Sequence, residues 1–175
     1  MEREEPEEVD EIEEEDLLED EEDTQKDMYL TFHLAGEDYG LPIAFVTEII
    51  GIQKITAVPD MPPFIRGVIN LRGKVIPVID VRARFGIAER AYDQRTCIVV
   101  VHCDDVLVGL VVDQVSEVMT IAEEDTEPPP AMETSGRAGY IAGLGKTGGG
   151  VKILLEVEKL LACAQEVGDR APGEE

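Results

Sequence analysis

FIRGVINLRGKVIPVIDV, residues 64–81, decides the fold. Two short apolar runs flank Arg72-Gly73. Ile65, Val68, Ile69 and Leu71 lead in, and Val75, Ile76, Val78 and Ile79 lead out. β-Branched residues on both sides of a glycine-containing turn predict a hairpin. Arg72 falls at its tip, where a cation can stand in water while both strands stay buried. Asp80 occupies the place wanted for a helix N-cap, ahead of a short basic segment from Val81 to Phe85 that Gly86 ends.

A weaker copy lies downstream. YIAGLGKTGGGVKILLEV, residues 140–157, aligns when slid 76 positions: Phe64 falls on Tyr140, Gly67 on Gly143, Gly73 on Gly149, Asp80 on Glu156 and Val81 on Val157. An upstream pair repeats too, GLPIAFVTEII at 40–50 and GLVVDQVSEVM at 109–119, with a slightly different offset. A proline-marked loop separates the blocks in each copy, VPDMPP at 58–63 and EPPP at 127–130. Two ordered blocks in the same order predict one supersecondary unit used twice, over about 28–86 and 95–165.

Charge is placed unevenly. The chain of 175 residues has a net charge of −24, of which residues 1–27 contribute −15 through 17 acidic and 2 basic side chains. That stretch offers only Val9, Ile12, Leu17 and Leu18 as sizeable apolar groups, so it is expected to be a disordered acidic tail. Residues 28–165 are apolar enough for a real core, and 166–175 read as a frayed end. No segment has the ~20 apolar residues of a membrane span, and the acidic start has the wrong sign for a signal peptide. The three cysteines, Cys97, Cys103 and Cys163, sit in apolar surroundings without metal-ligand spacing, which predicts reduced thiols in the cytoplasm. Strong negative charge argues against a nucleic-acid or anionic-lipid surface.

Along the chain, Tyr29 to Leu34 alternates as a half-buried strand, and Tyr39 to Ile43 returns from a turn at 35–38. One helical turn is expected over Ala44 to Thr47, then a strand over Glu48 to Gln53. TCIVVVHC, residues 96–103, is long enough for a central strand; Asp104-Asp105 turns it into Val106 to Val112, and Ser116 to Ile121 pairs next. Residues 87–94 read as a polar connector and 122–138 as the longest loop. Val157, Leu160, Leu161 and Ala164 recur at helical spacing. About ten short strands with little helix predict a mainly β fold, most simply two small five-stranded barrels meeting at a common core.

Chemistry is hard to place on this chain. The Gly145-Lys146-Thr147 run suggests a phosphate loop, but Tyr140 stands where that motif needs glycine, and a strand follows where it needs a helix. His33 and His102 lie far apart without clustered ligands. Ser116 and Ser135 are outside any nucleophile elbow, and the acidic stretch lacks the register of a calcium loop. No catalytic group, cofactor site or metal site is therefore expected. What remains is a rigid β scaffold with charged positions, Glu48 and Arg72, beside apolar strand residues.

On YGLPIAFVTEI at 39–49, the Pro59 to Pro63 loop, the Asn70 to Asp80 run NLRG-x-x-x-P-x-x-D, VGLVVDQVSEV at 108–118, EPPP, YIAGLG and KILLEVEKLL at 152–161, the chain resembles the CheW family of chemotaxis coupling proteins, over about Met28 to Cys163. The resemblance implies two SH3-like five-stranded barrels with short helices and a C-terminal helix. It implies a non-catalytic adaptor in signal transduction, bridging methyl-accepting chemotaxis receptors and the CheA histidine kinase, cytoplasmic but recruited to membrane-associated arrays without inserting. Receptor contact would fall on Val46, Glu48, Gly67, Arg72, Gly109 and Val118, the two glycines permitting close backbone approach and Arg72 pairing with the receptor tip. The kinase would be met through exposed apolar barrel residues, by analogy with its own CheW-like domain. The acidic arm and the glycine-rich turn at 145–150 depart from the family pattern. The alternative from another class is a small β-barrel ligand carrier or enzyme using 122–138 as a lid.

Overall fold

The alternations read above become eleven strands among the described residues. The computed structural model describes residues 26–129 and 139–162. The expectations for the acidic tail up to residue 25, for part of the long loop, for Cys163 and Ala164 and for the final residues lie outside these. The first repeat supplies β1 (Met28–Leu34), β2 (Glu37–Pro42), β3 (Val46–Gly51), β4 (Ile65–Leu71) and β5 (Lys74–Asp80). The second supplies β6 (Cys97–Cys103), β7 (Val106–Val112), β8 (Gln114–Thr120), β9 (Thr126–Glu127), β10 (Ile141–Thr147) and β11 (Gly150–Leu155). The helical turn expected over 44–47 is a 3-10 turn at Ile43–Phe45, and residues 157–162 are helical as expected.

The barrels do not follow the repeats. One sheet has the order β3-β6-β7-β5-β4 and the other β8-β1-β2-β11-β10-β9. Each repeat lends its first hairpin to the other: β6–β7 completes the sheet of β3, β4 and β5, while β1–β2 completes that of β8, β10 and β11. Replacing each strand by its repeat counterpart turns the first order into the second. The parallel pairings match as well, Val78 opposite Gly109 in one sheet and Leu154 opposite Gly40 in the other.

This exchange explains the unbroken apolar run of β6. Val99, Val101 and Cys103 join the common core with Leu30, Phe32 and Leu34 of β1. Ile98 and Val100 turn the opposite way, into a second cluster with Ile69, Ile76, Val78 and Val111 inside the first barrel. A strand buried on both faces needs no polar alternation. Each fully buried Val, Ile or Leu contributes roughly 1.5–3 kcal/mol, so these two clusters dominate the stabilisation.

Both sheets close in the same way. Beyond β3, Thr56 bridges Val68 of β4 through N–H···O bonds of 2.8 and 2.9 Å. In the second barrel β9 takes that place against β10, with Glu127 opposite Leu144. Part of the expected loop 122–138 is thus a closing strand. The hairpin tip is a two-residue turn with Arg72 at φ 54° and Gly73 at φ 84°, and the Gly73 N–H donates to Asn70 Oδ1 at 2.8 Å. Asp80 caps the helix Val81–Arg84, accepting from the N–H groups of Arg82 and Ala83. That helix sets Phe85 between Tyr39 and Tyr140, and lays the Arg84 guanidinium over the rings of Phe64 (4.2 Å) and Tyr140 (4.9 Å), the repeat counterparts.

Candidate functional site

Three of the six residues singled out above lie on one row across the first barrel. The register runs Glu48 (β3), Val100 (β6), Gly109 (β7), Val78 (β5), Gly67 (β4). Directly opposed residues share a face, and Val78 and Val100 face the barrel interior. Glu48 belongs to the same row, and Arg72 reaches it from the hairpin tip. The two form a bidentate pair, Nη1 to Oε2 at 2.6 Å and Nη2 to Oε1 at 2.8 Å. Arg72 remains 74% exposed while Glu48 is 20% exposed, so a half-buried carboxylate holds an outward-facing guanidinium.

The two glycines are buried. A Cβ on Gly67, at φ +147°, would stand 2.0 Å from the carbonyl oxygen of Thr56, and one on Gly109 would stand 2.8 Å from Ile98 Cγ2. The close approach they permit is to this chain's own backbone and side chains. Gly143, the counterpart of Gly67, likewise faces the Glu127 carbonyl at 2.7 Å, so the repeated glycine is the mark of barrel closure. Val46 packs against the common core, two residues before Glu48 on β3. Val118 is exposed on β8, in the other sheet, and is not brought to this row.

Two ion networks escaped the reading of 87–94 as a plain connector. Asp80, 3% exposed, accepts from Arg66 Nε (3.1 Å) and the Tyr92 hydroxyl (2.9 Å) besides capping its helix. Burial and the bond to Asp80 push the Tyr92 phenol up to about 12. Burial alone would lower Arg66, but hydrogen bonds to Glu89 and Asp80 hold it above the ordinary arginine value. Asp113, between β7 and β8, accepts a bidentate pair from Arg82 (2.8 and 2.7 Å), a bond from Arg90 (3.1 Å) and the Ala35 N–H at the β1–β2 turn (3.0 Å). It thereby ties the exchanged hairpin to the helix of the first barrel. Burial pushes its carboxyl up; Arg82, the Ala35 N–H and Arg90 more than offset this and hold it below the ordinary range.

A depressed carboxylate contributes stability that is present above the unfolded value of about 3.9 and lost as pH falls through the folded one. Asp113→Asn is therefore expected to cost about 1–3 kcal/mol at neutral pH. Urea midpoints followed through the acid range should fall less steeply for the variant than for the parent. An unchanged acid profile would mean that the network adds nothing.

The other candidates find structural places. Lys146 of the glycine-lysine-threonine run lies in β10 and pairs with Glu127. His33 pairs with Asp38, which Lys152 also meets at 2.9 Å, the Lys152 bond being the main reason that Asp38 titrates low. His102 Nε2 meets the Ala44 carbonyl at 3.1 Å. Cys97 and Cys103 are not joined in a disulfide. Among the described residues no group of three or more His, Cys, Asp or Glu could hold a metal ion, and no helix is long and apolar enough to cross a membrane.

Known proteins share this frame. The CheW-like domain family matches residues 28–165. The chain belongs to the CheW family. It is 38% identical over 137 residues to the chemotaxis protein CheW of Klebsiella aerogenes, covering 78% of this chain and 82% of that protein. Protein FrzA of Myxococcus xanthus is 29% identical over 140 residues, covering 79% and 87%. The crystal structure of the scaffolding protein TtCheW from Thermoanaerobacter tengcongensis superposes with a TM-score of 0.72 at 40% identity, over 78% of this chain and 92% of that one. The double-barrel fold and a scaffolding role in chemotaxis follow for this chain. The carrier-or-enzyme alternative gains no support from these relatives.

Proposed function

We propose that this chain couples methyl-accepting chemoreceptors to the CheA histidine kinase in membrane-associated arrays. The receptor would be met at the mouth of the first barrel by Arg72, Glu48 and Val46, and on the second sheet by Val118. The observation that supports this reading is the Arg72–Glu48 pair. A guanidinium held in place by a bidentate carboxylate offers outward N–H groups with little side-chain entropy left to lose. Gly67 and Gly109 serve the same surface indirectly, by letting the strands that carry it close.

The kinase contact is proposed on Val75 and Val151, 54% and 55% exposed at repeat-equivalent places, which offer it an apolar grip on either barrel. Co-sedimentation with receptor cytoplasmic fragments and kinase tests the reading. Arg72→Glu, which sets two carboxylates face to face at the mouth, is expected to weaken receptor capture about tenfold or more. An exposed pair contributes at most about 1 kcal/mol to folding, so the melting temperature should move by only a few degrees. Undiminished capture, or a large fall in melting temperature, would remove Arg72 from the contact.

A further inference from the structure

The second barrel has an open groove of about 650 Å³ beside β10 and β11. Tyr29, Pro42, Phe45, Leu154 and Leu155 give it apolar lining, and Glu123, Glu127, Glu156 and Glu158 line it with carboxylates. Lys146 meets Glu127. Among the described residues no ion pair or side-chain hydrogen bond reaches the carboxylates of Glu123, Glu156 or Glu158.

The first barrel shows what completes such a site. At a spacing of 76 residues, Glu156 stands for Asp80, Ala142 for Arg66 and Glu158 for Arg82. In the first barrel Arg66 and Tyr92 both donate to Asp80, and Arg82 is paired with Asp113. The second barrel keeps the carboxylate, loses both arginines and gains a further glutamate. Apolar lining is left beside four carboxylates, of which only Glu127 meets a cation among the described residues.

We propose that this groove docks a segment of another protein carrying an arginine beside aromatic or aliphatic side chains. The guanidinium would take toward Glu156 the place that Arg66 takes toward Asp80, and the apolar side chains would seat on Tyr29, Phe45 and Leu154. Apolar burial supplies affinity and the carboxylate rim selects a cationic ligand. This chain's own residues 163–175 suit the groove poorly, with Arg170 alone against Glu166, Asp169, Glu174 and Glu175. The inference stands apart from the receptor and kinase contacts.

The test is a titration of the isotopically labelled full chain with a short synthetic peptide of arginine and phenylalanine, followed by amide resonances. The expected result is a set of shifts at Thr126, Ala142, Leu154 and Leu155. Ala142→Arg rebuilds the internal cation at an exposed position, and Glu156→Gln with Glu158→Gln removes the charge. Each is expected to weaken the peptide about tenfold, the scale of one charged hydrogen bond, while thermal unfolding confirms that the variants fold. Shifts confined to residues 1–27 would show only general attraction to the acidic stretch and overturn the proposal. So would affinities unmoved in both variants, or binding that appears only after residues 163–175 are removed, which would make that segment the occupant.

Discussion

Gly67→Ala is expected to lower the melting temperature by about 10 °C, the largest single-methyl effect among the described glycines. The added Cβ would lie 2.0 Å from the Thr56 carbonyl oxygen and 2.7 Å from its carbon. Both atoms are backbone, and the Thr56–Val68 bonds that close the first barrel hold them in place. A side chain at φ +147° adds strain of about 1–3 kcal/mol, and overpacking costs about as much again. At roughly 2–4 °C per kcal/mol for a domain of this size, the sum gives the shift stated. Gly109→Ala should cost less, because its Cβ would meet the side chain of Ile98, which can turn. Gly143→Ala should be intermediate, with the Glu127 carbonyl at 2.7 Å but no positive φ. Thermal unfolding beside receptor capture separates the causes. A Gly67→Ala protein that melts within about 2 °C of the parent yet fails to bind receptor would make this glycine part of the contact and not of the closure.

How much of this was legible in the sequence follows from how local each signal is. The hairpin at 64–81, its turn and the Asp80 cap are set by neighbours within a few residues, and the strands and cap formed where expected. The repeat was legible because two blocks kept their order. The hairpin exchange was not: β1–β2 satisfies its turn and alternation equally well beside either sheet, and only the two-faced burial of β6 bears on the choice. β9 has two residues, too few for a period, and sits among prolines. The networks on Asp80 and Asp113 draw on Arg66, Arg82, Arg90 and Tyr92, whose spacing gives no sign that long polar side chains converge. Gly67 and Gly109 leave no room for a Cβ against Thr56 and Ile98 of this chain, distant neighbours that sequence spacing does not reveal.

The repeats share a frame and differ in charge. Arg66, Arg72 and Arg82 in the first become Ala142, Gly148 and Glu158 in the second, while the glycines and core positions that build the barrel persist. One barrel thus presents a clamped cation, and the other a glycine-rich tip and an open acidic groove. A symmetric scaffold with unlike surfaces suits a scaffolding role in chemotaxis.

Asp80→Ala is the second large effect, and its repeat counterpart supplies the control. Removing this carboxylate takes four donors' acceptor at once: Arg66 Nε, the Tyr92 hydroxyl and the N–H groups of Arg82 and Ala83. Breaking a buried ion pair by deleting one partner costs about 3–5 kcal/mol, and the helix cap is worth about 1 kcal/mol within that. The helix it caps carries Phe85 into the common core and Arg82 to Asp113, so the loss should loosen the junction between barrels as well as the 87–94 connector. Urea unfolding should show a fall of that size for Asp80→Ala. Tyr92→Phe should lose only about 1 kcal/mol, since the carboxylate keeps its other donors. Glu156→Ala, at the equivalent place in the second barrel, should change stability by less than about 1 kcal/mol, because among the described residues no cation or hydroxyl bonds its carboxylate. Equal losses at Asp80 and Glu156 would mean that the carboxylate serves the helix start alone, and that the ion network of the first barrel adds nothing to it.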